Sequence, residues 1–330
     1  MKSPKFSVVV TLYNKEAEIQ SALSSVLSQT VEDFEILVIN DGSTDRSRAA
    51  VEAFADPRIR IIDQVNAGAS AARNRGIAEA SSGLVAFLDG DDEWFPSFLG
   101  TITRLLKSFP EAGAFAVNYV AMTRPSIPLS IPKRSVPPHP WEGVIPNYFH
   151  TRNVVHPSSI VVRKEVFSVA GRFRVGLSLG EDLDMWFRIG ARFPIAYSTH
   201  SGAVVYFKPP ARTRNPIEPP PESFLDRSLA DIEAATEIPP TVKSHARDYV
   251  AAFDLRRILM LIRVDRHFDA SRALSRWRQR HGITARWLLC KTASLLPEGI
   301  FDVLSTCRSY GIHSFFRRDS KKLMGTRERA

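Results

Sequence analysis

The first 120 residues switch repeatedly between two hydrophobic periods. Phe6–Leu12, Phe34–Ile39, Arg58–Asp63, Leu84–Leu88 and Ala114–Ala121 are short apolar or β-branched runs, and they predict strands. Between them, Glu16–Ser28, Ser47–Ala55, Ala69–Ala80 and Pro96–Ser108 have helical spacing, with Ile19, Leu23, Val26 and Leu27 on one face. Strand and helix in strict alternation predict βαβ units, and so an α/β fold with a mostly parallel central sheet.

The pattern then breaks. Six prolines between Arg124 and Trp141 predict a long loop. A strand at Ser159–Val162, a helix starting near Glu181 and a strand pair within Ile195–Phe207 follow, and a second proline cluster runs from Pro209 to Pro221. Beyond Ser223 the spacing is helical, most clearly over Val250–Val264 and Ala270–Arg280, which reads as an antiparallel helical pair. The expected organisation is a domain over 1–208, a Pro-rich linker over 209–240 and a helical region over 241–330.

In an open parallel sheet, ligands bind outside the carboxyl ends of the strands. Those ends are polar here: Thr11, Tyr13 and Asn14; Asp41-Gly42-Ser43-Thr44-Asp45; Asn66 and Gly68; and Asp89-Gly90-Asp91-Asp92-Glu93. The last run packs four carboxylates into five residues. Such crowding is relieved by a hard divalent cation, or else the run is an acidic turn capping the helix that begins near Pro96. Asp41 suits a ribose hydroxyl or a base N–H, while the plain alternative is a loop with an N-cap at Thr44 or Asp45. Arg73, one turn into its helix, is either a nucleotide contact or a solvated side chain. No GxxxxGK[ST] or GxGxxG motif is present.

Composition narrows the class. With 330 residues, 44% hydrophobic and 24% charged, the chain reads as an ordinary globular protein. Two cysteines form no disulfide framework and no zinc spacing. No signal-peptide pattern and no apolar run of about 20 residues is seen, so a cytoplasmic location is expected. The net charge of +9 is unevenly spread: −5 over residues 1–120, +3 over 121–240 and +11 over 241–330. An acidic front suits a cation, and a basic tail suits an anionic surface.

The ordered set of motifs resembles the family 2 glycosyltransferases. It comprises Thr11-Leu12-Tyr13-Asn14, Asp41 to Asp45, Asn66 to Gly76, Asp89-Gly90-Asp91-Asp92, then His156-Pro157-Ser158, Gly171 with Phe173, and Gly180-Glu181-Asp182 with Asp184, Trp186 and Arg188. The resemblance covers about residues 5 to 207. It implies a GT-A fold whose residues 1–123 form the nucleotide-binding half and 141–208 the acceptor and catalytic half. It further implies that Thr11, Tyr13, Asp41, Arg73 and Asp89 bind a nucleotide-sugar donor, usually a uridine one. Asp89 and Asp91 match the DxD motif that holds Mg²⁺ or Mn²⁺. Asp182 matches the catalytic base of an inverting transfer, with Glu181 as its alternative; the plain reading of Asp182 is an N-cap carboxylate. Trp94 and Trp186 are either sugar platforms or core residues, and His156 is either a diphosphate or metal contact or a structural residue.

Two departures matter. No QxxRW motif follows the Glu181-Asp182 pair, so the resemblance implies single-sugar transfer rather than polymerisation. After Tyr206-Phe207 the basic loop of relatives is only partly kept, in Lys208 and Arg212. The expected acceptor is a glycan or a lipid-linked sugar, in surface polysaccharide or glycolipid assembly. A sugar nucleotidyltransferase is the rival enzyme, and a non-catalytic nucleotide-sugar or membrane-binding module the second rival. The basic C-terminal region, including Trp287-Leu288-Leu289 and Phe315-Phe316-Arg317-Arg318, is expected either to pack on the catalytic domain or to dock peripherally on anionic lipid. No nucleic-acid motif accompanies it.

Overall fold

A computed structural model of the chain describes residues 4–123, 127–128, 141–145, 147–150, 155–177, 179–207, 224–263 and 266–281. The expected contacts of Lys208 and Arg212, both proline-rich stretches and everything beyond His281 lie outside these residues, apart from the short strand at Ile127–Pro128.

The elements run β1 (Phe6–Leu12), α1 (Ile19–Leu27), β2 (Phe34–Asp41), α2 (Ser47–Glu52), β3 (Ile59–Gln64), α3 (Ala69–Glu79) and β4 (Leu84–Asp89). Then come β5 (Glu93–Trp94), α4 (Phe98–Ser108), β6 (Ala114–Thr123), β7 (Ile127–Pro128), β8 (Glu142–Val144), β9 (Ile160–Arg163), α5 (Val166–Val169), α6 (Glu181–Gly190) and β10 (Ile195–Phe207). Last are α7 (Asp226–Ala234), α8 (Pro240–Arg263) and α9 (His267–His281).

The sheet order is β3-β2-β1-β4-β9-β6-β10-β5, with β7 on β6 and β8 on β10. β1 pairs in parallel with β2 and β4, and β2 with β3. β9 runs antiparallel between β4 and β6, and β10 returns to the parallel sense beside β6. This is a mixed, mostly parallel α/β sheet, as the strand–helix alternation predicted.

β1 is buried along nearly its whole length because helices cover the sheet, which explains its consecutive Val8–Val10 run; the buried Ser7 accepts from Ser82 N and donates to Glu35. One core joins Val8, Val10 and Leu12 of β1 to Ile19, Leu23 and Val26 of α1 and to Phe98, Ile102 and Leu105 of α4. Only Thr11, at the strand's exit, is partly exposed.

Three expectations need correction. Ile195–Phe207 is one 13-residue strand rather than a pair, with its register to β6 shifted between Ser198 and Ala203. The shift behaves as a bulge, which a pattern of alternating residues reads as a turn. The acidic run does not cap α4, whose first turn holds no carboxylate. Residues 226–234, placed in the linker, form α7, whose Ser228 hydroxyl bonds the buried Asp184 of α6.

The described residues up to Tyr249 belong to one compact unit and those from Val250 onward to a second, so the boundary falls inside α8 rather than at the prolines. Its first turns carry Tyr249, whose ring packs 6.0 Å from Phe149 and 5.7 Å from Phe187. In the second unit, Leu255, Ile258 and Leu261 of α8 pack against Ala270, Leu274 and Trp277 of α9. Trp277 Nε1 donates to Ala251 O at 3.1 Å, which fixes the pair as antiparallel.

Candidate active site

The strand ends converge as the sequence pattern requires. Thr11 and Asp89 are register partners on β1 and β4, and Thr11 Oγ1 donates to Asp89 Oδ1 at 2.9 Å. Gly90 N bonds Thr11 O at 2.9 Å, and a Cβ at Gly90 would stand 2.7 Å from that same oxygen. The acidic turn can therefore close onto β1 only with glycine here.

Arg73 links the two halves of the site. Almost wholly buried, it donates from Nη2 to Asp89 Oδ1 at 2.9 Å and from Nη1 to Glu181 Oε1 at 3.0 Å. Burial works against a carboxylate charge, but the guanidinium overrides it and holds Asp89 below the usual carboxylate range. Asn74 anchors the next segment: it donates to Phe173 O at 2.7 Å and accepts from Phe173 N at 2.9 Å. Phe173 in turn lies under the Arg73 guanidinium.

Asp41 takes part through the backbone. Its carboxylate accepts from Gln64 Nε2 at 2.7 Å, Ala67 N at 2.9 Å and Gly68 N at 2.8 Å. It thus braces the loop that enters α3. Gly68, with φ of 86°, precedes α3 without a side-chain cap. Tyr13 stands 47% exposed at the end of β1, and Asn14, at φ 50°, accepts from Thr44 N at 2.8 Å.

A pocket of about 290 Å³ is lined by Ala67, Gly68, Ala69, Ser70, Gly176, Leu177 and Glu181. The Ser70 hydroxyl is buried without a hydrogen-bond partner. Next to Glu181, Asp182 sits in the first turn of α6, two residues after Gly180 rather than at the cap itself. Burial, reinforced by the Glu181 charge, pushes its carboxyl up to about 6.

The acidic turn divides its carboxylates. Asp91 Oδ2 is paired with Lys15 Nζ, so a cation already stands against it. Asp92 is buried, accepting from Ser158 Oγ at 2.5 Å and Tyr206 N at 2.9 Å. Burial and the neighbouring Asp89 charge push the Asp92 carboxyl well above its ordinary range. Ligand atoms of Asp89, Asp92 and His156 all lie within 4.8 Å of one another. These two carboxylates and one imidazole form a group that could hold a metal ion; Asp91, expected beside Asp89 as a ligand, is paired with Lys15 and is not part of that group. Sequence reasoning gave His156 little weight and passed over Lys15 and Asp92; the four-carboxylate run was the available signal for Asp92.

Other motif residues are structural. Trp186 is fully buried, and Trp94 stacks on Phe98 with ring centroids 4.0 Å apart, so neither faces a sugar. Asp184 is buried against Arg188 at 2.8 Å and Arg174 at 3.4 Å.

The parallel-rich α/β sheet carries an acidic turn at the end of β4 and a carboxylate pair in the first turn of α6, and its fold is that of the GT-A glycosyltransferases among solved structures. Residues 7–168 match the family described as glycosyl transferase family 2, and the chain carries a domain of that family. It is 44% identical over 100 residues to the uncharacterized glycosyltransferase YibD of Escherichia coli K12, covering 30% of this chain and 29% of that protein. It is 40% identical over 104 residues to the E. coli UDP-Glc:alpha-D-GlcNAc-diphosphoundecaprenol beta-1,3-glucosyltransferase WfgD, covering 31% and 41%. These matches span well under half of each relative's length. Among solved structures, Staphylococcus aureus TarS 1-349 with UDP-GlcNAc superposes with a TM-score of 0.59 at 20% identity, covering 77% of this chain and 72% of that one. Mannosyltransferase PcManGT of Pyrobaculum calidifontis, with GDP-Man and Mn²⁺, gives 0.56 at 17% identity, covering 96% and 87%.

Proposed function

We propose that this chain is an inverting glycosyltransferase that moves one sugar from a nucleotide-diphosphate donor, UDP-linked, to a glycan or lipid-linked acceptor. The setting proposed is surface polysaccharide or glycolipid assembly at the cytoplasmic face of a membrane. The observation that carries this reading is the Arg73 bridge, which joins Asp89 of the acidic strand end to Glu181, the neighbour of Asp182.

Each residue has a chemical part. Tyr13, exposed at the end of β1, offers a face for the base, and Thr11 and Arg73 hold Asp89 in place. Asp41 braces the loop before α3, and the N-terminus of α3 beside the pocket suits an anionic donor. Asp89 and Asp91 would hold the divalent ion, with Asp92 and His156 within reach. When bound, that ion supplies positive charge to the departing nucleoside diphosphate.

Asp182 takes the proton of the acceptor hydroxyl as its oxygen attacks the anomeric carbon. The bond from that carbon to the diphosphate breaks, and the nucleoside diphosphate leaves. A base with pKa of about 6 is ionised at neutral pH yet basic enough to take a proton. TarS with UDP-GlcNAc, PcManGT with GDP-Man and Mn²⁺ and the UDP-Glc-dependent WfgD support the donor class. A nucleotidyltransferase needs a Gly-rich loop after its first strand, and Thr11-Leu12-Tyr13-Asn14-Lys15 contains no glycine. The test is release of nucleoside diphosphate from a panel of sugar donors with Mn²⁺ and candidate acceptors. Release of pyrophosphate, from a sugar phosphate and a nucleoside triphosphate, would favour the rival enzyme.

A further inference from the structure

Asp89 and Asp91, the two carboxylates assigned to the divalent ion, keep very different partners. Asp89 is held by the Thr11 hydroxyl and by the guanidinium of Arg73, whose side chain is only 4% exposed. Asp91 is paired with the ammonium of Lys15, and these two side chains are 28% and 26% exposed. A charge pair around a buried guanidinium is costly to break, whereas an ion pair open to water is worth little and separates readily. Arg73 is therefore a permanent counter-charge for Asp89, and Lys15 an exchangeable one for Asp91.

The side chain of Lys15 can move without its backbone. Lys15 N donates to Ser47 Oγ at 2.7 Å, and Lys15 O accepts from Glu18 N at 3.1 Å and from Ile19 N at 2.9 Å at the entry to α1. Ser47 is fully buried, and its own N–H is held by Asp45 Oδ1 at 2.9 Å. The main chain is thus pinned at a fixed point, from which a flexible four-carbon stem carries a compact charge with three rotatable donors. A diphosphate gripped through an ion on Asp91 lies next to that carboxylate, and so within reach of the same ammonium.

We propose that Lys15 neutralises Asp91 in the metal-free protein, and that it leaves this carboxylate to the divalent ion and pairs with the diphosphate once the donor is bound. The charges set the direction of the exchange. One ammonium yields to a doubly charged ion that the carboxylate can ligate, and then meets the negative diphosphate beside it. Before the donor arrives, the Lys15 pair lowers the affinity of Asp91 for a cation, so ion and donor each favour binding of the other. As the nucleoside diphosphate leaves, the same ammonium offsets the charge that develops on it. This role rests on the metal-assisted reading of the donor site and gives that site a diphosphate contact.

The test uses the full chain and two probes, Mn²⁺ alone and UDP with saturating Mn²⁺. By electron paramagnetic resonance without nucleotide, Lys15→Gln should bind Mn²⁺ about two- to fivefold more tightly than wild type, the range that a partly exposed ion pair supplies. By calorimetry with saturating Mn²⁺, the same variant should bind UDP about tenfold more weakly, because a charge-assisted contact to the diphosphate is lost. Lys15→Arg, which keeps the charge, should bring both constants back toward wild type. Mn²⁺ affinity unchanged or weakened in Lys15→Gln, or UDP affinity equal to wild type, would overturn the role of Lys15. Lowered melting with both affinities unchanged would mark the pair as purely structural and overturn it as well. Wild type that binds no Mn²⁺ would instead overturn the metal-assisted reading on which the role rests, so the two failures are told apart by whether wild type binds the ion.

Discussion

Arg73 Nη2 stands 2.9 Å from Asp89 Oδ1, while the other arm of the same guanidinium reaches Glu181. One buried cation thus organises carboxylates 92 residues apart in the chain. Arg73→Met leaves both carboxylates without their counter-charge, and a loss of about 3 kcal/mol is expected in denaturant unfolding. Arg73→Lys should recover only part of it, because an ammonium cannot reproduce the two-armed fork.

Asp182 gives opposite pH signs for stability and activity. Its carboxyl titrates near 6 in the folded protein against an ordinary value of 3.8. As pH falls from above 6 toward 4, the folded form binds a proton before the unfolded form does, so this group's contribution to stability rises. Asp182→Asn should therefore melt higher than wild type above pH 6, with the gap closing toward pH 4. Activity should run the other way, with kcat/KM falling as pH drops through about 6.

Gly90 tests the close approach of the acidic turn to β1. A methyl group there meets a backbone oxygen, Thr11 O, at 2.7 Å, and backbone cannot give way cheaply. Gly90→Ala is expected to cost about 1–3 kcal/mol in stability. It should also weaken Mn²⁺ binding, because it shifts Asp89 and Asp91 together; titration by electron paramagnetic resonance reads this directly.

Asp184 separates scaffold from chemistry. With Arg188, Arg174 and Ser228 around it, Asp184→Asn should destabilise by about 3 kcal/mol or more. Donor affinity of the folded fraction should stay unchanged, as measured by calorimetry below the melting transition.

The strands of the first 120 residues were legible because a buried parallel sheet needs continuous apolar runs and because each run stops at a polar strand end. The polar strand ends were legible for the same reason: Thr11, Asp41 and Asp89 stand at or next to the ends of β1, β2 and β4. What sequence could not show were contacts between distant segments. Nothing local to Lys15 indicates that it pairs with Asp91, and nothing local to His156 indicates that it meets Asp89 and Asp92. In the segment Glu181 to Arg188, Glu181 lines the pocket while Asp184 and Trp186 are buried in packing, a division that nothing in the motif itself reveals. The bulge in β10 and the docking of α7 were likewise hidden, since both depend on partners contributed by other elements.

The central claim is metal-assisted binding of a nucleotide-sugar at the strand ends, with Asp182 acting afterwards. Thermal shift with nucleoside diphosphates and their sugars, with and without Mn²⁺, tests it most directly, comparing wild type with Asp91→Asn and Asp182→Asn. A uridine-linked donor at about 100 times its Kd should stabilise wild type by about 2.7 kcal/mol in the presence of Mn²⁺. Asp182→Asn should retain that shift and lose transfer, whereas Asp91→Asn should lose the shift. No shift with any nucleotide-sugar, or an equal Mn²⁺-dependent shift in Asp91→Asn, would contradict the account.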